Sequence, residues 1–85
     1  MFLKLKDRLI NMNSISEIII VDRSEYDGDE EGWTVRLFFR EDSGFLDLIK
    51  ATTEERANRF LNKLSRLIGN NKYVVDVPKI ESNME

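Results

Sequence analysis

Residues 32–42 read GWTVRLFFRED, and in this stretch apolar side chains recur at Trp33, Val35, Leu37 and Phe39 while Thr34, Arg36, Phe38 and Arg40 fill the places between. A period of two is the signature of a strand with one face on a core. Downstream, Asp42-Ser43-Gly44 supplies turn residues, and FLDLIKA at 45–51 is expected to return antiparallel to that strand. Upstream, ISEIIIVD at 15–22 is rich in β-branched side chains whose stiff χ1 suits a pleated surface, and it reads as a further strand, placed centrally. Between the two lies SEYDGDEEG, broken by Asp-Gly and a second Gly, which reads as a long hairpin loop. FLKLK at 2–6 alternates Leu3 and Leu5 against Lys4 and Lys6 and makes a first strand. Leu9-Ile10 adds a short extended stretch before a corner at Asn11-Met12-Asn13-Ser14.

From about 53 to 68 the period changes. Ala57, Phe60, Leu61, Leu64, Leu67 and Ile68 form one continuous helical stripe. Thr52 and Glu55 fit a T-x-x-E capping box, and Gly69 fits the left-handed position beyond the last turn. KYVVDVP at 72–78 alternates again as a short last strand that Pro78 confines or ends, and 79–85 reads as a loose tail. The expected architecture is α+β: a four- to five-stranded, mainly antiparallel meander packed against one C-terminal amphipathic helix, with a single domain over 1–78 and a flexible tail over 79–85.

The chain has 85 residues, 41% hydrophobic and 34% charged, the profile of one globular domain with marginal stability that association would raise. Cysteine and histidine are both absent, which excludes disulfides, thiolate metal sites and the Ser-His-Asp, Cys-His and zinc-hydrolase mechanisms. Glu41 and Asp42 pair two carboxylates in a turn without an enclosing apolar pocket, so no enzyme activity and no cofactor is expected. The apolar run Ile18–Val21 is too short to span a bilayer, and MFLKLKDRL lacks the apolar core of a signal peptide. A cytoplasmic protein without membrane association is therefore expected.

The net charge is −3, and it is unevenly placed. Residues 22–32 hold six carboxylates and one arginine, a net of −5, leaving +2 for the other 74 residues. In that acidic loop, formed by Asp22, Glu25, Asp27, Asp29, Glu30 and Glu31, acids at 27, 29 and 31 and Gly32 match positions 1, 3, 5 and 6 of an EF-hand loop. Position 12 is Phe38, where a bidentate glutamate belongs, so solvated acids are the preferred reading. A divalent-cation loop and an acidic docking surface for a basic partner are the alternatives. A second candidate is a basic and aromatic face: Arg36, Phe38 and Arg40, joined by Lys4 and Lys6 if the first strand lies alongside. Such a face can track a phosphate backbone while the ring stacks on a base. Acidic net charge and an isoelectric point near 5.0 disfavour that reading, and a structural or dimer contact around Phe38 is preferred. Third, Arg56, Arg59, Lys63 and Arg66 form a basic stripe beside the apolar one, supported by a Glu55–Arg59 pair at i, i+4.

The order LKDRLINMNSISEIII, then WTVRLFFREDSGFLDL, then a capped amphipathic helix resembles small bacterial proteins of the FlbD-like kind, which couple a short β-meander to one helix. The resemblance covers residues 3–68 and carries no catalytic motif. The same order is similar at fold level to PC4-like and Whirly single-stranded DNA-binding proteins and to small pleckstrin-homology-like domains. The expected function is non-enzymatic: a protein-interaction or regulatory module that works as a homodimer. Single-stranded nucleic-acid binding and a cation-binding loop stand as alternatives.

Overall fold

The computed structural model describes residues 1–26, 28, 31–70 and 73–83. Its elements, in chain order, are β1 (Phe2–Lys4), β2 (Leu9–Asn11), β3 (Ile15–Asp22), the single helical turn α1 (Arg23–Tyr26), β4 (Trp33–Phe39), β5 (Phe45–Ala51), α2 (Glu54–Gly69), β6 (Val74–Asp76) and α3 (Val77–Ser82). The fold is α+β and mostly antiparallel, as the periodicities predict. Its strands, however, form two three-stranded sheets among the described residues, β2-β1-β6 and β3-β4-β5, rather than one meander.

The corner at 12–14 causes the division. Met12–Ser14 wind into one 3-10 turn that Asn11 caps: its Oδ1 accepts from the Asn13 amide at 2.9 Å and its carbonyl from Ser14 Oγ at 2.6 Å. Both bonds are local and redirect the chain, so β2 pairs back onto β1 while β3 begins a new sheet. The other side of β1 is taken by β6 in parallel register, Leu3 opposite Val75. Leu3, Ile10 and Val75 thereby make one buried row.

In the second sheet β4 is central and β3 lies at an edge, which corrects the central placement read from its apolar run. Val35 and Leu37 are fully buried, with Trp33 and Phe39 packed against the same core. Ala57, Phe60 and Leu64 of α2, also fully buried, cover this face. Each large side chain so buried contributes roughly 1.5–3 kcal/mol before chain entropy is counted.

Four boundaries differ from the sequence reading. The helix cap is Thr53 rather than Thr52: Thr53 is extended at φ −131° and its hydroxyl accepts from the Arg56 amide at 3.2 Å. The third helical position is then Arg56, so no glutamate closes a capping box, although Glu54 and Glu55 still sit at the positive helix end. Gly69 is the last helical residue, and Asn70 at φ −86° caps it without a left-handed turn. The stretch after Asp22 is not wholly loop, because Asp22 Oδ1 accepts from the amide and hydroxyl of Ser24 and opens α1. Lastly, 79–82 belong to a helix and not to a tail. Asp76 caps α3 by accepting from the Lys79 amide at 3.2 Å, Pro78 occupies the first turn where a missing N–H is harmless, and Ile80 is buried in the core.

Gly32 closes the β3–β4 connection. Its φ is +115°, a Cβ there would stand 2.9 Å from the Ala51 carbonyl oxygen, and its own carbonyl accepts from the Arg23 amide.

Candidate functional site

Outward-facing side chains of β3, β4 and β5 meet in rows fixed by the register: Glu17 with Phe38 and Phe45, Ile19 with Arg36 and Asp47, Val21 with Thr34 and Lys50. Two irregularities set these rows. In β5 the register shifts between Val35 and Arg36, so Leu48 is an extra residue and the alternation changes face. Leu46, Ile49 and Ala51 point toward α2, while Phe45 and Asp47 come out beside Arg36. In β3 a shift between Ile15 and Glu17 makes Ser16 the extra residue, and its hydroxyl donates to the Phe38 carbonyl at 3.2 Å.

Arg36 is the centre of this face, and it is buried, with 6% of its surface exposed. Its Nε donates to Asp47 Oδ1 at 2.6 Å, a second guanidinium nitrogen donates to Oδ2 at 3.3 Å, and the group lies 4.1 Å above the Phe45 ring. The fork therefore grips one carboxylate on two sides and one aromatic face. Phe38 tilts against Phe45 at 6.2 Å and 54°, so the ring between two arginines is half of an aromatic pair across strands. Arg40 donates from Nε to the Ile15 carbonyl at 3.0 Å and from its amide to the Ser14 carbonyl, holding the start of β3.

The face is closed at one end and open at the other. Val21 and Thr34 are buried, Thr34 donating to the Ile49 carbonyl at 2.6 Å, whereas Phe45 is 52% and Ile19 37% exposed. Beyond Ile19 runs the free edge of β3. This strand has eight residues, pairs only with β4 among the described residues, and presents Ile18-Ile19-Ile20-Val21 with Ile18 and Ile20 only half-buried. Phe2, Leu9, Tyr73 and Val74 are exposed on the other sheet, but its strands have three residues each and offer a much shorter ladder.

Of the five residues assigned to a basic and aromatic face, Arg36 and Phe38 lie on one face of β4, and Arg40 follows the strand with its guanidinium turned to the Ile15 carbonyl. Lys4 and Lys6 do not join them in a sheet, since Lys4 lies in β1 between Leu9 and Asp76 and Lys6 follows in the turn to β2. Of the acidic residues, Asp22, Glu25 and Glu31 are described, with Asp22 engaged at the start of α1, while Asp27, Asp29 and Glu30 lie outside the described residues. Glu55 and Arg59 pair at 3.3 Å as their spacing predicts.

Sequence reading missed two features. The Arg36–Asp47 clamp has no local signal because strict alternation puts Asp47 on the face of Ile49 and Ala51, which only the bulge at Leu48 undoes, although apolar residues at 45, 46, 48, 49 and 51 already depart from a two-residue period. The other is a groove of about 330 Å³ between α2, β6 and α3, floored by Leu67, Val75 and Ile80 with Asp76 and Lys79 on its rim. It continues into a depression of about 200 Å³ beside Lys63 and Arg66.

Comparison with family models, with curated proteins and with solved structures finds no match for this chain. No helix among the described residues is long and apolar enough to cross a membrane.

Proposed function

We propose that this chain is a non-enzymatic interaction module that pairs with a second copy of itself through the edge of β3. The observation that carries this reading is the eight-residue edge itself, apolar, β-branched and uncovered on its outer side among the described residues. Edge strands of monomers are commonly short, charged or covered, because unpaired backbone groups attract a further strand. Here Glu17 is the one charge before Asp22.

Antiparallel pairing centred on Ile19 sets Ile19 opposite its own copy, Ile18 opposite Ile20 and Glu17 opposite Val21, so no like charges face each other. It would join two three-stranded sheets into one of six strands and complete the burial of Ile18 and Ile20. Arg36, clamped by Asp47 and Phe45, braces the row behind Ile19 and presents β3 in one geometry. Nucleic-acid binding needs a cluster of free cations, and this face engages Arg36 with a carboxylate.

The interface is small, so the dimer is concentration-dependent. Sedimentation velocity over a concentration series is expected to show mass rising from 10.0 kDa toward twice that value, and Ile19→Lys is expected to hold the monomer with the Tm of the dilute, monomeric wild-type chain. A wild-type chain that stays at 10.0 kDa throughout would refute the reading.

A further inference from the structure

We propose that the groove between α2 and α3 is a docking site for an acidic amphipathic peptide segment of a partner protein. Its floor and its charge together specify that class. Leu67, Val75 and Ile80 give an apolar floor of about 330 Å³, enough for one or two large side chains but not for a folded domain. Cations stand on both banks: Lys63 and Arg66 on α2, Lys79 on α3. Among the described residues none of these three has a carboxylate partner. The one acid in the lining, Asp76, already accepts from the Lys79 amide as the cap of α3.

Charges divided between two banks do not converge on a point, as donors around a single phosphate would. They suit a ligand whose apolar side chains enter the groove while carboxylates on either side reach outward to Lys63 and Lys79. Side chains at i, i+3 and i+4 of a helix have that distribution, with glutamates flanking a leucine ridge. Long lysine and arginine stems add apolar contact along the banks while their heads stay wet. The groove uses no residue of β3, so it stands independently of self-association.

Fluorescence anisotropy with two labelled synthetic helices tests this. One carries leucine on its apolar ridge and glutamate elsewhere, and the other has lysine in place of every glutamate. The glutamate peptide is expected to bind, to lose affinity roughly tenfold between low and high salt, and to lose at least about tenfold on Lys63→Glu with Lys79→Glu. Lys63→Arg with Lys79→Arg is expected to retain it. Lys79 is exposed and Lys63 half-buried, and an unchanged melting curve verifies the fold. Equal binding of the lysine peptide, or affinity indifferent to charge reversal, would overturn the proposal. So would a shift of the Lys63→Glu, Lys79→Glu protein to a smaller sedimenting mass, because a second copy would then occupy the groove. A monomeric wild-type chain refutes β3 pairing and leaves this peptide titration fully informative.

Discussion

At Arg36 one side chain settles the character of a whole face. Its side chain is 7% and that of Asp47 24% exposed, so neither keeps the hydration it would have on the surface. Removing the acid alone takes a carboxylate from a buried cation, and Asp47→Ala is expected to cost about 3 kcal/mol in urea denaturation. Replacing both, as Arg36→Met with Asp47→Leu, is expected to cost clearly less, because the desolvation penalty leaves with the charges. A single loss of under about 0.5 kcal/mol, the size of an ordinary surface substitution, would mean that the clamp contributes nothing. Thr53 offers a second test at this scale. Thr53→Ala is expected to destabilise by about 1 kcal/mol and Thr52→Ala by no more than a few tenths, and the reverse order would restore the cap to Thr52.

Element by element, the sequence is legible wherever periodicity alone decides. The strands at 15–22 and 45–51 and the strand inside 32–42 lie where alternation and turn residues set them, and the 54–69 helix follows its apolar stripe. Information that depends on partners distant in the chain is not visible in such patterns. Val74–Asp76 reads as a strand, yet nothing local says that it joins β1 in parallel. VPKIES is too short for a helical period to emerge, and its helix exists because Asp76 caps it and Ile80 finds the core. Ile80→Ala is accordingly expected to cost about 2–4 kcal/mol, measured by thermal or chemical unfolding. A solvated tail would tolerate the change with no measurable loss. The site divides in the same way. Arg36 and Phe38 share β4 with Arg40 just beyond its end, a spacing of two that local periodicity shows, whereas joining Lys4 to them needs one sheet to hold both strands, which the 3-10 corner prevents.

On the scale of the whole molecule, two small sheets share one core with α2, and the surface left over is unequal. One sheet has three-residue strands on every side, and the other carries at β3 an eight-residue edge left uncovered among the described residues, beside a braced face. The absence of cysteine makes the pairing of that edge directly testable, since a single introduced thiol can link only to its own copy. Oxidative cross-linking of Ile19→Cys, with Ser16→Cys as control, reads the register. Directly opposed residues of an antiparallel pair stand about 4.5–5.5 Å apart at Cα, within disulfide reach, while two copies of residue 16 would lie on the order of 20 Å apart. A disulfide-linked dimer at 19 and none at 16 is the expected result; no cross-link at 19, or equal yield at both positions, would contradict pairing through β3.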